Sequence, residues 1–496
     1  MRFWSFITEH ATQVPNNAIL PDVKICMFVK NSFEYDARVT KEARTLVEAG
    51  HQVTVVALFV PNVTAMEETT PDGIHVVRVP RSSFGVPTLN RLAQRYAGSI
   101  ESRHVRLTGE AYNEATVREL GQFSSPSTAT PGSTGTTRSS PVERPEEPPG
   151  AIRRAWGRVT TPLLRSFARF ARFSFRIAKR LMGQQSQWLK HRAIDKRMID
   201  IGVASGADVF HSHDLNTLRV GAMCKRRTKA KLIYDSHELQ TERNRMTETE
   251  RTKAKAAEGR YLPAVDAMIV ASPSWIEWNR KLYGELPDPT VTVLNVPEPT
   301  EIDMTKNLRV ELDISDSDAV VIYQGSIQEN RGIEPAIEAV RTLDHVVLVV
   351  IGYGHHRPVL EDLVRSQGLT HKVKFFGPVP NDELISYSAS ADVGLANIVN
   401  SSVSYHTSLP NKLFEYAMAG IPIVGSDSPE IGRIVQEESI GEVCDPEDPG
   451  ALAVAISTIL TNPGRYDTGL RHAAHRYNWS VEQEHLLELY GSIRGS

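Results

Sequence analysis

A lysine and a carboxylate stand near the start of a predicted helix in residues 409–424, LPNKLFEYAMAGIPIV. Pro410 suits a helix start, and a glycine and a proline end the helix before a short apolar strand. The free amides of such a helix start attract an anion, and Lys412 adds a full charge. Asn411 and Glu415 share one face, where a carboxylate can accept hydrogen bonds from two neighbouring ribose hydroxyls. The alternative is an amphipathic helix with Glu415 in water.

A second segment with suitable chemistry is QGSIQENRG at residues 324–332, between a predicted strand and a predicted helix. Gly325 permits close approach of the backbone to a ligand, and Arg331 can donate two parallel hydrogen bonds to a diphosphate. Arg331, Lys412 and the helix amides would together stabilise the charge of a leaving nucleoside diphosphate without a metal.

Polar side chains also follow two strands predicted in the first part of the chain. The imidazole of His213 can hydrogen-bond a sugar or a phosphate, and Glu238 can orient or deprotonate a hydroxyl or serve structure alone. His211, His213, Asp235 and His237 could together bind a metal, but no helical H-x-x-x-H or cysteine spacing supports this. The sequence therefore predicts no metal site and no cofactor.

Strands and helices alternate along the chain. Residues 24–30 predict a buried strand, apolar residues at helical spacing follow over 39–47, and 53–58 predict another strand. This pattern is typical of a doubly wound parallel sheet, which binds ligands at the carboxyl ends of its strands. The pattern resumes near residue 208, and a second series begins at 319. We therefore predict an α/β protein with two Rossmann-like domains that face each other across a cleft.

The predicted domain bounds follow from these two series. We predict an N-terminal tail at 1–20, a first domain at 21–298, a second domain at 299–477 and a C-terminal helix at 478–496 that packs back on the first domain. The triplet Asp316-Ser317-Asp318 precedes the second series and is interpreted as a turn rather than as a metal-binding motif.

An insertion at about 82–197 interrupts the first domain. Residues 122–150 are rich in Ser, Thr, Pro and Gly, a composition that favours disorder. Residues 151–190 hold ten basic residues and no acidic one, with arginines and apolar residues on separate helical stripes. A basic amphipathic helix of this kind binds anionic membranes, and the alternative is a helix packed on its own domain.

Two motifs resemble signatures of the GT-B glycosyltransferases of family 4, in a bacterial branch. They are D-x-R-V-x-K-E-A at 36–43 and L-P-N-K-L-F-E-Y at 409–416. The resemblance implies the GT-B fold and retaining transfer of a sugar from a nucleotide donor to a hydroxyl. It also implies which residues bind the donor, namely Gly325, Ser326, Arg331, Asn411, Lys412, Leu413 and Glu415. The catalytic residues that it implies are His213, Glu415 and Thr407. On the acceptor side it implies Asp36, Arg38 and Glu238.

The chain departs from the family pattern at two of these positions. Ser326 stands where the family has a basic residue, and Thr407 stands where it has the first of two glutamates. In the first motif, Asp36 could instead cap a helix that carries Arg38 and Lys41 on its polar face.

Composition limits the setting in which the protein works. A formal net charge of −3 over 496 residues argues against a nucleic-acid binder, and the three cysteines have no metal or redox spacing. Neither a signal peptide nor an unbroken apolar span of ~18 residues is apparent. We expect a cytoplasmic protein, peripheral on the inner face of the plasma membrane if residues 151–190 bind anionic lipid.

These observations predict a retaining glycosyltransferase that acts on a glycan or lipid-linked acceptor in cell-envelope or exopolysaccharide synthesis. One alternative is a GT-B sugar-nucleotide epimerase, which would release nucleoside diphosphate without an acceptor. The other is a non-catalytic scaffold that binds a nucleotide sugar at the membrane, an interpretation favoured by Ser326 and Thr407.

Overall fold

A computed structural model describes residues 23–81 and 189–493 of the chain. The described residues 23–81 and 194–493 belong to one compact unit, which contains two β-sheets. The tail at 1–20, the segment 122–150 and nearly all of 151–190 lie outside the described residues. The interpretations of those segments therefore stay predictions.

The first half carries an eight-stranded sheet. Its strands are β1 (Lys24–Phe28), β2 (Gln52–Phe59), β3 (Glu67–Thr69), β4 (His75–Pro80), β5 (Val209–His213), β6 (Lys231–Ser236), β7 (Ala267–Val270) and β8 (Thr290–Thr292), and its helices are α1 (Ala37–Glu48), α2 (189–204), α3 (Leu215–Thr228), α4 (Glu248–Tyr261) and α5 (Ser274–Tyr283). The strand order is β3-β4-β2-β1-β5-β6-β7-β8. Only the edge strand β3 runs antiparallel to its neighbour within this sheet.

The second half carries a six-stranded parallel sheet. Its strands are β9 (Ala319–Gln324), β10 (Val346–Ile351), β11 (Val373–Phe376), β12 (Val393–Ala396), β13 (Ile423–Ser426) and β14 (Gly441–Cys444), and its helices are α6 (Leu308–Glu311), α7 (Ile333–Arg341), α8 (Arg357–Ser366), α9 (Asn381–Ser388), α10 (Val403–His406), α11 (Asn411–Ala419), α12 (Pro429–Glu437), α13 (Pro449–Thr461) and α14 (Asp467–Arg476). The order β11-β10-β9-β12-β13-β14 is that of a doubly wound sheet.

The central strands explain why both sheets form. The sequence of β10 is VVLVVI and all six residues are buried, while β1 reads KICMF with only its first residue exposed. Such continuous apolar runs suit parallel strands that are covered by helices on both faces. The predicted α/β class with two parallel sheets is therefore confirmed, and the turn predicted at Asp316–Asp318 directly precedes β9.

The last helix, α15 (Trp479–Ser492), contacts the first half of the molecule. The Trp479 indole donates to the Thr45 hydroxyl of α1 at 2.9 Å, across 434 positions of sequence. The Tyr490 hydroxyl lies 2.9 Å from His211 Nδ1 at β5. No helix among the described residues has the length and apolar character needed to cross a bilayer.

Candidate active site

Helix α11 begins in the second half without a capping side chain. Pro410 is the residue before the helix, with extended backbone angles of φ −76° and ψ 142°. The Leu413 amide donates to the Pro410 carbonyl at 3.0 Å, while the side chain of Leu413 is buried in the core. Asn411 is exposed and Lys412 is buried. The amides of the first helical residues have no partner within the helix, so this end attracts an anion.

Two cations lie near this helix start without an acidic partner among the described residues. Lys412 is 7% exposed, and its ammonium lies 3.7 Å from the centre of the Tyr323 ring. Arg331 stacks on Tyr405, with its guanidinium carbon 4.5 Å from the ring centre. The Lys412 ammonium and the buried Arg331 Nε make no hydrogen bond with the described part of the chain. Aromatic faces therefore hold both cations in place of carboxylates.

The two charges also affect each other. Burial, and then the positive charge of Arg331, lower the pKa of Lys412 well below its usual value. Glu415 opposes this shift only in part. An anion beside the two cations would favour the charged form of Lys412.

Two glycines shape the loop that carries Arg331. Gly325 and Gly332 have φ angles of +124° and +75°, in the region that favours glycine. A Cβ on Gly332 would lie 1.9 Å from the carbonyl oxygen of Asn397, whose side-chain amide donates to the Gly332 carbonyl at 2.7 Å. Beside Gly325 there is open space, and the half-buried Ser326 follows it. The loop is therefore held against Asn397 at Gly332 and has open space beside Gly325.

Glu415 lies one turn into α11 and is tied to β9. The Gln324 side-chain amide donates to Glu415 Oε2 at 2.5 Å. Burial raises the pKa of Glu415, and the Gln324 bond and the charges of Lys41 and Lys412 oppose that rise. Glu415 as a residue is half-buried.

Thr407, predicted as a catalytic residue, joins the two halves. Its hydroxyl accepts a hydrogen bond from the Trp275 indole at 3.0 Å and donates to the Val403 carbonyl at 2.8 Å. Its carbonyl accepts from the Ser272 hydroxyl at 2.7 Å. Trp275 and Ser272 belong to the first half, so the Thr407 hydroxyl is engaged in a contact between halves.

In the first half, Asp235 near the end of β6 collects several donors. Its Oδ2 accepts from Arg38 Nε at 3.0 Å and from His237 Nε2 at 2.8 Å, and Oδ1 accepts from Arg38 Nη2 at 2.9 Å. Burial opposes ionisation, yet Arg38 and His237 hold the pKa of Asp235 well below its usual range. Burial likewise opposes charge on His237, but Asp235 and then Asp214 raise the pKa of His237 to about 9.

His213 ends β5, beside this carboxylate. Its Nδ1 lies 3.2 Å from Asp235 Oδ2, and its ring is 4.2 Å from that of His211. Burial lowers the pKa of His213 and so favours the neutral ring. With the proton on Nδ1, the other nitrogen is an acceptor. That Nε2 is buried and has no hydrogen-bond partner among the described residues.

Glu42, His211, His213 and Asp235 each have a ligand atom within 4.8 Å of the others, as a metal site requires. Glu42 Oε2 is 3.9 Å from His211 Nε2, and both atoms are buried without hydrogen bonds in the described structure. Arg38, however, pairs with Glu42 at 3.0 Å and with both oxygens of Asp235. A divalent ion would lie beside this fixed charge, so the residues present do not fit a metal ion.

The three predicted acceptor-side residues have different environments. Asp36 caps α1 by accepting from the Val39 amide at 3.2 Å, and Glu238 pairs with Arg243 at 3.1 Å. Arg38 is 4% exposed, and all its nitrogens have protein partners. It therefore supports Asp235 from within instead of facing the cleft.

The alternative in which Asp36 caps α1 is confirmed, but its placement of Arg38 and Lys41 on a polar face is wrong, because both are buried. The Lys41 ammonium donates to the carbonyl of Val296 and to Asn295 Oδ1, and it lies 5.0 Å from the Trp479 ring centre. Residues 295 and 296, which follow β8, and Trp479 of the last helix therefore cover this side of α1.

Sequence reasoning missed Asp214 and Gln324 as site residues. Asp214 has φ +63° and ψ 160°, a strained conformation for any residue with a side chain. Its carboxylate accepts from the His237 amide at 3.3 Å and from Gln240 Nε2 at 3.0 Å. Both missed residues are polar and adjoin the ends of buried strands, a signal that could have identified them.

Comparison with known proteins gives a consistent assignment. Residues 304–478 match the family described as Glycosyl transferases group 1, and this range contains Gly325, Arg331, Lys412 and Glu415. An uncharacterized glycosyltransferase of Methanocaldococcus jannaschii is 26% identical over 312 residues, which cover 60% of this chain and 78% of that protein. The D-inositol 3-phosphate glycosyltransferase of Corynebacterium diphtheriae is 25% identical over 306 residues, 57% of this chain and 70% of that protein.

Solved structures show the same fold. Sucrose-phosphate synthase from Thermosynechococcus elongatus superposes with a TM-score of 0.64 at 15% identity, over 95% of this chain and 99% of that chain. HepE of Anabaena in complex with UDP-glucose gives 0.59 at 13% identity, over 95% of this chain and 100% of that chain. The fold is GT-B, as predicted, and the family match supports glycosyltransferase activity.

Proposed function

We propose that the protein is a retaining glycosyltransferase of family 4 that transfers a sugar from a nucleoside diphosphate donor to a hydroxyl. The observation that carries this proposal is the pair of cations at the start of α11. Arg331 and Lys412 are held on tyrosine faces, have no acidic partner among the described residues and lie beside unpaired helix amides. A diphosphate would supply the missing acceptors.

The reaction would proceed as follows. The bond from the anomeric carbon to the donor phosphate breaks, and its electron pair stays on the phosphate oxygen, where Arg331, Lys412 and the helix amides stabilise the negative charge. The acceptor oxygen bonds to the same face of the anomeric carbon, and its proton passes to the departing phosphate. Because the protein supplies the cations, the proposed reaction takes no metal and no cofactor.

A carboxylate and an imidazole would contact the sugars of the donor. Glu415 would accept hydrogen bonds from the ribose hydroxyls. His213 would accept one from a sugar hydroxyl through Nε2, since its other nitrogen faces Asp235. Access to Nε2, which is buried here, requires local opening at the end of β5.

The acceptor class is proposed on sequence grounds together with the relatives. A glycan or lipid-linked acceptor at the inner face of the plasma membrane suits the basic segment 151–190, which lies almost wholly outside the described residues. One relative at 29% identity over 187 residues is a phosphatidyl-myo-inositol mannosyltransferase of Mycobacterium leprae. HepE, which shares the fold, was solved with UDP-glucose.

The test is a metal-free thermal-shift screen against UDP-, GDP- and ADP-sugars, followed by NMR of the product. A donor at a hundredfold excess over its Kd should stabilise the protein by roughly 2.7 kcal/mol, and Arg331→Ala should abolish the shift. With an acceptor hydroxyl present, the new bond should keep the donor's anomeric configuration.

Other outcomes would favour the alternatives. Release of nucleoside diphosphate with an epimerised sugar and no acceptor would indicate a sugar-nucleotide epimerase. Donor binding without turnover, whatever acceptor is supplied, would indicate the scaffold. Inversion of configuration would leave the glycosyltransferase assignment in place and refute the retaining mechanism.

A further inference from the structure

We propose that Gln324 is a positioning residue that fixes Glu415 for recognition of the ribose of the donor. The inference rests on the proposed function, because it assumes that a nucleoside diphosphate occupies the site. It assigns to Gln324, with Ser388 behind it, the discrimination between a ribose and a 2′-deoxyribose.

The geometry of Gln324 supports a fixed orientation. It is the last residue of β9 and is 1% exposed. Its side-chain nitrogen donates to Glu415 Oε2 at 2.5 Å, and its side-chain oxygen accepts from the Ser388 hydroxyl at 2.5 Å. The backbone amide of Gln324 donates to the Tyr416 hydroxyl at 3.0 Å. Both the side chain and the backbone of this residue are therefore tied to α9 and α11.

The carboxylate of Glu415 favours the donor end of the Gln324 amide, and Ser388 supports the same orientation from the other end. A carboxamide has a donor end and an acceptor end, and only the donor end stabilises a carboxylate. The Ser388 hydroxyl is fully buried and presents its proton to Gln324 Oε1 or to the Leu384 carbonyl at 2.8 Å. A flipped amide would set its oxygen against the Glu415 carboxylate, where neither group can donate, and would lose the bond from the Ser388 hydroxyl to Oε1.

The bond also opposes protonation of Glu415. Burial raises the pKa of this carboxyl group, and Gln324 gives the foremost of the opposing contributions. A protonated Glu415 would offer one acceptor oxygen fewer to a diol. Gln324 therefore orients the group and favours its ionised form.

One oxygen of Glu415 remains for the ligand. Oε2 is occupied by Gln324, whereas no described residue donates to Oε1. Asn411, on the same face one turn earlier, is exposed. With Oε2 anchored, Oε1 has a defined direction in which it can accept a ribose hydroxyl.

The experiment measures by calorimetry the Kd values of UDP, GDP and ADP and of their 2′-deoxy counterparts. The quantity of interest is the ratio of the deoxy Kd to the ribo Kd for the tightest of the three. We expect a wild-type ratio of roughly ten- to a hundredfold, the usual effect of a hydrogen bond to a charged group. Glu415→Ala should bring this ratio close to one.

Gln324→Met should lower the ratio to within a few-fold of one while Kd for the deoxy nucleotide changes little, because the phosphate contacts remain. Combining Gln324→Met with Glu415→Ala should cause no further loss of discrimination, because one residue acts through the other. Ser388→Ala should cause a smaller loss and serves as the second variant if Gln324→Met does not fold. The matched control is Gln367→Met, which removes a surface glutamine whose amide donates to Glu338 at 2.5 Å.

Three results would overturn the inference. A wild-type ratio retained in both Gln324→Met and Ser388→Ala, but lost in Glu415→Ala, would refute it and leave the proposed function standing. A loss in the double variant equal to the sum of the single losses would show that Gln324 acts independently of Glu415. Failure of the wild-type protein to bind any of the three nucleotides would overturn both the inference and the proposed function.

Discussion

Lys412 should take up a proton when a nucleoside diphosphate binds. In the free protein its pKa is lowered, first by burial and then by Arg331, so part of the population is neutral above that lowered value. A bound diphosphate favours the charged ammonium and raises the pKa in the complex. Between the two values, binding is therefore coupled to protonation.

The sign of the pH effect follows from this coupling. Below the pKa of the free site Lys412 is already charged, and Kd does not depend on its titration. Between the free and bound pKa values Kd should rise up to about tenfold per pH unit as pH increases, because each binding event consumes up to one proton. Above the bound value the dependence should disappear again.

The magnitude for Lys412→Met comes from the loss of one charged contact. A hydrogen bond to a charged group contributes about 1.5–3 kcal/mol, which corresponds to a rise in Kd of roughly 10- to 150-fold. The free variant should be more stable than the wild type by ~1 kcal/mol, because it no longer buries an amine that has no hydrogen-bond partner among the described residues. Affinity and stability should thus change in opposite directions.

Calorimetry in two buffers of different ionisation enthalpy measures the protons taken up on binding. We expect uptake in the wild type and none in Lys412→Met. Lys412→Arg is the matched control, since its guanidinium is charged throughout and should bind without uptake. Equal uptake in the wild type and in Lys412→Met would refute the reasoning, as would a less stable free Lys412→Met protein.

Two further predictions concern the contact between halves and the buried cluster. Thr407→Val and Trp275→Phe should each destabilise the protein by ~1 kcal/mol. A double-mutant cycle measured by chemical denaturation should give a coupling energy of similar size. A much larger fall in kcat for Thr407→Val than for Trp275→Phe would instead show that Thr407 contacts the substrate. Burial, and then Asp235, raise the pKa of Glu42 to about 8, so folding binds a proton and stability falls as pH rises between the usual carboxyl value and about 8. Glu42→Gln should remove this part of the slope in denaturation curves taken from pH 5 to pH 9, and an unchanged slope would contradict the shift.

The fold could be predicted because its signals are local. Continuous apolar strands such as β10 and the helix signals of 409–424 need only neighbouring residues to be recognised. The start of α11 was predicted nearly to the residue, with Pro410 placed just before the helix instead of inside its first turn. The spacing of Gly325 and Arg331 between a strand and a helix is local in the same sense.

The roles of Arg38 and Thr407 could not be predicted in this way. Arg38 on α1 pairs with Asp235 of β6, which lies 197 positions away in the sequence. Thr407 meets Trp275 only when the two halves are folded together. Helical periodicity says which residues share a face, but it does not say which distant segment covers that face.

The position of α15 affects the order in which the protein can fold during synthesis. The ribosome makes the entire second half between β8 of the first half and Trp479. At ~5–20 residues per second this takes on the order of 10–40 s, during which Thr45 and His211 lack Trp479 and Tyr490. We therefore expect the nascent first half to stay an incomplete, chaperone-accessible intermediate until the second half has been made.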